Sequence, residues 1–246
     1  MSAQLERSFQ QLIPYALSDA ECATFRELSE WRSRNYSDEN DPLRILQFQR
    51  LLRQVADLPE GDYVEMGTQY GGTAKIIWDL MPRDRHLFCC DTFKGFTQED
   101  LDAESAIAAH GFTTESIAPL DAASVEKLIT ERRPQDGKLH LVAGRVPMSL
   151  APLAGRSWRF VHLDMDLYEP TRGALEWIWP HLVPGAAIVF HDYDALPTVK
   201  KAADEFLNPR GVVATPMSDR FGSAVAYKPL AAPRLAMLRS WIGRWQ

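Results

Sequence analysis

Short apolar runs and helical patterns alternate along the central part of the chain. The runs are, in order, DYVEMG, HLFCCD, KLHLVAG, WRFVHLDMD and GAAIVFHDYD. Stretches with apolar residues at helical spacing lie between or after them, namely TAKIIWDLM, AASVEKLITERR, TRGALEWIWPHL and TVKKAADEF. Nearly continuous apolar strands that alternate with helices indicate a parallel sheet with both faces covered. The pattern predicts a doubly wound, mostly parallel α/β domain over residues 58–228, with FGSAVAYK as a last edge strand.

Three segments fall outside this alternation. Residues 1–57 have apolar residues at helical spacing, so we expect an N-terminal helical extension that caps the domain. Residues 97–122 form a polar connection that is too long for an ordinary loop, and we expect a lid there. Residues 229–246 are apolar and basic, which predicts an amphipathic tail packed on the domain or on a second copy of the chain. A homo-oligomer is also expected. Attachment to a membrane surface is the alternative use of the tail.

Composition narrows the class of protein. The chain has 27 Lys and Arg against 33 Asp and Glu, a net charge of -6, which argues against broad nucleic-acid binding. Its three cysteines include an adjacent pair, Cys89 and Cys90, in an apolar run, which is typical of reduced core thiols. No stretch approaches the roughly 20 apolar residues that cross a bilayer, and the N-terminus lacks the pattern of a signal peptide. We expect a soluble, cytoplasmic protein without an integral membrane segment.

Acidic residues follow most of the predicted strands. In an open parallel sheet, ligands bind beyond the carboxyl ends of the strands, so the residues there are candidates for a site. They are Glu65, Asp91, Gly144, Asp164 with Asp166, and His191 with Asp192. One such acid alone is most simply a cap for the following helix. Acids at four strand ends predict a shared site for a cation or metal.

The first strand-to-helix turn, VEMGTQYGG, predicts a nucleoside-cofactor site. Its spacing is E-x-G-x-x-x-G, whereas a dinucleotide fingerprint requires G-x-G-x-x-G. Glu65 suits the positively charged ammonium and sulfonium groups of S-adenosylmethionine better than it suits a pyrophosphate. Asp91, which ends the second strand, can accept hydrogen bonds from ribose hydroxyls. The residues expected at this site are Glu65, Gly67, Thr68, Tyr70, Gly71, Asp91, Thr92, Phe93 and Gly144.

A second group of candidates follows the fourth and fifth strands. Asp164, His191 and Asp192 would lie side by side if those strands are neighbours. Converging carboxylates suit an oxygen-preferring ion such as Mg²⁺. The alternative is a pair of helix caps beside a core histidine.

Four segments carry a resemblance to a known family. In chain order, VEMGTQYGG, CCDTFKGF, LDMDLYEPTRGALEWIWPHLVPGAAIV and HDY resemble the macrocin O-methyltransferases. These are S-adenosylmethionine- and Mg²⁺-dependent enzymes that methylate sugar hydroxyls on natural products. The resemblance covers about residues 58–210, and D-x-D-L-Y-E-x-T is its distinctive part. It implies that Asp164 is a metal ligand, that Asp166 is the general base, and that Glu65, Gly67 and Asp91 bind the cofactor.

The chain departs from the family at the last of these segments. The family has two adjacent acids before the tyrosine, whereas this chain has His191 and Asp192. Imidazole suits Mn²⁺, Fe²⁺ or Zn²⁺ better than Mg²⁺, so the identity of the divalent metal stays open. A second departure is GRVPMSL after the third strand, where the family has an aromatic residue.

The expected activity is transfer of a methyl group to a hydroxyl of a sugar, in a glycoconjugate or a secondary metabolite. The catalytic candidates are Asp166, Asp164 and His110, the last because it lies in the expected lid. His86 and His162 lie in or beside strands and are expected to be structural. The alternatives are methylation of another small hydroxylated acceptor, a metal-dependent hydroxylase or an oxidoreductase on the same scaffold, and a non-catalytic adenosyl-binding protein.

Overall fold

The computed structural model describes residues 18–35, 41–104, 112–114, 116 and 121–230. Its strands form one sheet, and the predicted doubly wound architecture is confirmed. The strands are β1 Asp62–Met66, β2 Leu87–Asp91, β3 Leu139–Ala143, β4 Trp158–Leu163, β5 Leu182–Phe190, β6 Thr215–Pro216 and β7 Ala224–Tyr227. They lie in the order β3-β2-β1-β4-β5-β7-β6. β1 to β5 are mutually parallel, and β7 is antiparallel to both of its neighbours.

Helices cover both faces of the sheet. They are α1 Asp19–Asn35, α2 Pro42–Ala56, α3 Gly72–Leu80, α4 Gln98–Ala103, α5 Ala122–Ile129, α6 Tyr168–Ile178 and α7 Pro197–Leu207. Every residue of β4 is buried, as a central strand with helices on both sides requires. The apolar residues divide into two buried clusters, one on each face of the sheet.

The C-terminal edge of the sheet differs from the prediction. FGSAVAYK contributes β7, but this strand pairs with β5 on one side and with β6 on the other. The edge strand is therefore β6, which lies in NPRGVVATPMSDR, a segment rich in turn-forming residues. It has only two residues and includes Pro216, which cannot donate to a ladder. A short strand with proline leaves no alternating pattern in the sequence from which to predict it.

The helix α2 packs its apolar face into the core of the domain. Asp41 begins it, because its side-chain oxygen Oδ1 accepts from the backbone N–H groups of Leu43 and Arg44. Its apolar face joins the buried cluster that also contains residues of β1, β4 and α3. Of the predicted N-terminal extension, the structure describes α1 and α2. Residues 1–17 and 36–40 of this extension lie outside the described residues.

Two other predicted segments are described only in part. The expected lid contains α4, a short helix that the sequence pattern did not indicate. Residues 105–111, 115 and 117–120 of that segment, with His110 among them, lie outside the described residues, as do residues 231–246 of the expected tail. Within the described part of the chain, no helix has the length and apolar character that crossing a membrane requires.

Candidate active site

A cavity of about 300 Å³ opens at the carboxyl ends of β1, β2, β4 and β5. Most of the predicted site residues line it. They are Glu65, Gly67, Thr68, Tyr70, Asp91, Thr92, Gly144, Asp164, Asp166, His191 and Asp192. The cofactor and metal candidates predicted from separate segments therefore share one cavity.

Two predicted cofactor residues do not line this cavity. The Phe93 side chain is buried in the apolar core, so only its backbone takes part in the site. Gly71 has a left-handed backbone, with φ of 79°, and precedes α3. A Cβ on Gly71 would lie 2.9 Å from the side chain of Ile129, so this glycine lets α3 pack closely on α5.

Glu65 lies at the floor of the cavity and is buried. Its Oε1 lies 3.0 Å from Nδ1 of His162. Its Oε2 is also buried and has no hydrogen-bond partner among the residues that the structure describes. Burial raises the pKa of Glu65 well above its ordinary value, and the negative charge of Asp164 raises it further. A carboxylate in this position favours a cationic partner.

Asp91 organises the turn that faces it. Its Oδ2 accepts from the backbone N–H of Gln69 at 2.8 Å, and its Oδ1 accepts from that of Phe93 at 2.7 Å. Both partner residues have positive φ, 46° for Gln69 and 54° for Phe93. Oδ1 also accepts from Oγ1 of Thr92 at 3.4 Å. The second lone pair of Oδ2 can still accept from a ligand hydroxyl.

The three predicted metal ligands are close together. Nδ1 of His191 lies 2.7 Å from Oδ1 of Asp164 and 3.3 Å from Oδ2 of Asp192. One donor atom from each residue lies within 4.8 Å of the others. Nε2 of His191 is buried, and no described residue hydrogen-bonds to it.

The charges of this cluster shift the acidities of both carboxyl groups. Burial alone would raise the pKa of Asp164, but the neighbouring His191 holds it below its usual range. Burial also raises the pKa of Asp192, although His191 opposes this shift. The set of two carboxylates and one imidazole can bind a divalent cation.

Asp166 has a strained backbone at the rim of the same cavity. Its φ is 58°, and the N–H of Leu167 donates to the carbonyl of Met165 at 2.6 Å, which closes a tight turn around Asp166. Oγ1 of Thr198 donates to the carbonyl of Asp166, also at 2.6 Å. Burial raises the pKa of Asp166 well above its ordinary value, and the charges of Asp164 and other nearby carboxylates add to the shift.

Contacts of Arg145 and Glu169 hold α4 beside the cavity. Nε of Arg145 donates to Oδ1 of Asp100 at 2.7 Å, and its guanidinium also pairs with Glu99. The N–H of Glu169 donates to the side chain of Glu104 at 3.1 Å. These contacts attach the described beginning of the expected lid to the loop after β3 and to the start of α6.

Sequence reasoning missed several residues of the site, including the following three. Arg44 and Phe221 line the cavity, and His162, expected to be structural, contacts Glu65. His162 is opposite Glu65 in the register of β4 and β1, so an alignment of those two strands could have placed them together. Arg44 lies on the buried face of α2, where a lone arginine among apolar residues is the signal.

Comparison with known proteins gives a family match. A family model described as macrocin-O-methyltransferase (TylF) matches residues 40–228. The 8-demethyl-8-(2,3-dimethoxy-alpha-L-rhamnosyl)-tetracenomycin-C 4'-O-methyltransferase of Streptomyces olivaceus is 25% identical over 185 residues, 72% of this chain and 69% of the relative. The demethyldecarbamoylnovobiocin O-methyltransferase of Streptomyces niveus is 24% identical over 153 residues, which are 59% of this chain and 58% of the relative.

Solved structures support the fold. The O-methyltransferase NovP has a TM-score of 0.66 and 22% identity, and the match covers 76% of this chain and 80% of NovP. The calicheamicin methyltransferase CalS11 has a TM-score of 0.62 and 21% identity, over 86% of this chain and 93% of CalS11. These structures share the Rossmann-like arrangement of class I methyltransferases.

Proposed function

The chain belongs to the macrocin O-methyltransferase family, and from this premise we propose that it methylates a sugar hydroxyl with the help of a divalent metal. It is an S-adenosylmethionine-dependent O-methyltransferase. The relative from Streptomyces olivaceus is named for 4'-O-methylation of a rhamnosyl tetracenomycin. CalS11 is described as a TDP-rhamnose 3'-O-methyltransferase. Both names support a small sugar-bearing acceptor for this chain.

The residues of the first turn fit S-adenosylmethionine. The buried Oε2 of Glu65, which has no hydrogen-bond partner among the described residues, matches a cationic group. The second lone pair of Oδ2 of Asp91 matches a ribose hydroxyl. Gly67, Thr68, Tyr70, Thr92 and Gly144 would complete the pocket. When bound, the cofactor supplies a methyl group on a positively charged sulfur. Glu65 and Asp91 would fix its position relative to the acceptor, and such alignment contributes several kcal/mol to catalysis.

The cluster of Asp164, His191 and Asp192 fits a divalent metal. Two carboxylates supply hard oxygen ligands. The buried Nε2 of His191 has no hydrogen-bond partner among the described residues, so the cluster has unused donor capacity. When bound, the metal would polarise the acceptor hydroxyl and lower its pKa. Mg²⁺ suits the carboxylates, whereas the imidazole favours Mn²⁺, Fe²⁺ or Zn²⁺.

Asp166 is the proposed general base. Its carboxylate would take the proton of the acceptor hydroxyl as the new O–C bond forms. Burial and the surrounding carboxylates raise its pKa, which makes it a stronger base than an exposed aspartate. The hydrogen bond from Thr198 and the tight turn hold its backbone in place.

The observation that carries this proposal is that Glu65, Asp91 and the Asp164 cluster line the same cavity. The test is to incubate the protein with S-adenosylmethionine, Mg²⁺ or Mn²⁺, and a panel of rhamnose-bearing nucleotides and glycosides. We expect mass spectrometry to detect one added methyl group and equal formation of S-adenosylhomocysteine. Acceptors with every sugar hydroxyl already methylated are the control. Transfer to non-sugar hydroxyls alone would contradict the sugar assignment.

A further inference from the structure

A chain of three buried side chains links α2 to the floor of the cavity. Nη2 of Arg44 lies 3.3 Å from Nε2 of His162, and Nδ1 of His162 lies 3.0 Å from Oε1 of Glu65. Their exposed fractions are 3%, 0% and 1%, so water does not compete for these contacts. The three residues come from α2, β4 and β1.

The chemistry of arginine fixes the direction of this chain. A guanidinium has only donors, so Nε2 of His162 must be the acceptor in its contact with Arg44. The hydrogen of the neutral imidazole is therefore on Nδ1, and it points at Oε1 of Glu65. The opposite tautomer would place two acceptors together at Glu65 and two donors together at Arg44.

The position of Arg44 is itself determined by several contacts. Its N–H is bound by the capping residue Asp41, whose Oδ2 also accepts from the backbone N–H of Arg220. Its guanidinium lies 5.7 Å from the ring centre of Phe48 and 5.3 Å from that of Phe221. The cap thus fixes the backbone of Arg44, and the two rings border its guanidinium beside His162.

We propose that Arg44 and His162 are positioning residues that hold Glu65 for the amino-acid end of S-adenosylmethionine. The hydrogen bond from His162 occupies Oε1 and fixes the rotation of the carboxylate. This leaves Oε2, the buried oxygen without a partner among the described residues, for the cationic group of the cofactor. The inference rests on the proposed role of Glu65 in cofactor binding.

Two ligands separate this role from a merely structural one. S-adenosylhomocysteine has the amino-acid end, whereas 5'-methylthioadenosine has the same nucleoside without it. Titration calorimetry measures the Kd of each, and no catalysis is needed. His162→Leu should raise the Kd of S-adenosylhomocysteine by about 10- to 100-fold, which corresponds to the usual contribution of a hydrogen bond to a charged group. It should leave the Kd of methylthioadenosine nearly unchanged.

Conservative variants complete the test. His162→Asn keeps a donor on the side of Nδ1 and should recover most of the affinity, while Arg44→Met should show a smaller loss that is still selective for S-adenosylhomocysteine. His140→Leu removes a histidine of β3 that does not line the cavity, and it should change neither Kd. Thermal unfolding checks each variant, and if His162→Leu does not fold, Arg44→Met and His162→Asn decide the question.

The outcomes distinguish this inference from the cofactor assignment. The positioning role would be overturned if the folded Arg44 and His162 variants bound both ligands equally more weakly, or bound both with unchanged Kd. Glu65→Gln tests the premise separately, because it should also weaken only S-adenosylhomocysteine. If Glu65→Gln weakens binding of S-adenosylhomocysteine alone and the Arg44 and His162 variants do not, only the positioning role fails. If Glu65→Gln does not weaken binding of S-adenosylhomocysteine selectively, the assignment of Glu65 to the cofactor fails first.

Discussion

Gly67 and Asp164 are in such close contact that no side chain fits between them. A Cβ on Gly67 would lie 1.8 Å from the carbonyl oxygen of Asp164. The N–H of Asp164 also donates to the carbonyl of Met66 at 2.9 Å. The turn after β1 and the loop after β4 are therefore joined through their backbones. The proposed cofactor and metal sites share this junction.

Replacement of Gly67 should damage both sites at once. Gly67 has φ of 87°, and Gly137 has φ of 84° but nothing within 4 Å of the position that a Cβ would take. Gly137→Ala should therefore lower the free energy of unfolding only by the strain of a left-handed backbone, about 1–2 kcal/mol. Gly67→Ala adds a backbone clash and should lower the free energy of unfolding by about 3 kcal/mol or more. Denaturant unfolding of the two variants measures this difference. Equal decreases in the free energy of unfolding would show that the loop after β4 shifts readily to accommodate the added Cβ.

Glu65 should release a proton when the cofactor binds. Burial raises its pKa, so below that raised pKa the free protein carries a proton that a cationic ligand would displace. The affinity for S-adenosylhomocysteine should consequently fall as the pH is lowered towards and below that raised pKa. Calorimetry in two buffers with different ionisation enthalpies counts the released protons. Glu65→Gln should abolish this release, and an unchanged release in that variant would assign it to another group.

Asp166 should affect the rate of methyl transfer rather than binding. Asp166→Asn has nearly the same size and removes only the proton acceptor, so kcat should fall by about 10²- to 10⁴-fold. The Kd values for S-adenosylhomocysteine and for the metal should stay close to those of the unaltered protein. Thr198→Val removes the hydrogen bond to the carbonyl of Asp166 and should cause a smaller loss of kcat. A normal kcat in Asp166→Asn would require a different base.

Arg145 should control the stability of α4. Its guanidinium is the principal described link between that helix and the loop after β3. Arg145→Ala should accelerate amide hydrogen exchange over residues 98–103 and leave exchange in β4 unchanged. Arg156→Ala, which removes an ion pair with Asp62 away from the cavity, is the matched control. Equal exchange of α4 in both variants would show that other contacts hold this helix.

The sequence predicts the parts of this molecule that depend on local patterns. Apolar strands ending in acids are enough to predict the sheet and to bring Glu65, Asp91 and Asp164 to one edge. For His162 the sequence predicts only a structural role, because its partner Glu65 becomes visible only once β1 and β4 are paired in register. Arg44 and Phe221 are far from the other site residues in the sequence, and only tertiary packing brings them into the cavity. Strand β6 escapes prediction because two residues are too few to produce an alternating pattern.

Methyl transfer should depend on a metal held by the cluster that includes His191, the residue that departs from the family. If Asp164, His191 and Asp192 hold an ion, exhaustive chelation should reduce methyl transfer by about 10²-fold or more and leave cofactor affinity nearly intact. Readdition of Mg²⁺ or Mn²⁺ should restore the rate. Asp164→Asn should reproduce the effect of chelation, since it removes a charged ligand with little change in volume. Asp194→Asn, which alters an aspartate paired with Lys200 outside the cavity, should have no such effect.

His191 should decide which metal is preferred. His191→Asp restores the family's acidic pair and replaces an imidazole with a hard oxygen ligand, so metal titrations should show a shift in preference from Mn²⁺ towards Mg²⁺. The shift should appear in the ratio of the two Kd values, which a general loss of stability would not change. The pairing of His191 with Asp164 makes the substitution demanding, because a third carboxylate then enters the cluster. Without a metal, His191→Asp should therefore unfold more easily, and bound Mg²⁺ should restore its stability. Full activity after chelation would contradict the metal site and leave alignment and Asp166 as the means of catalysis.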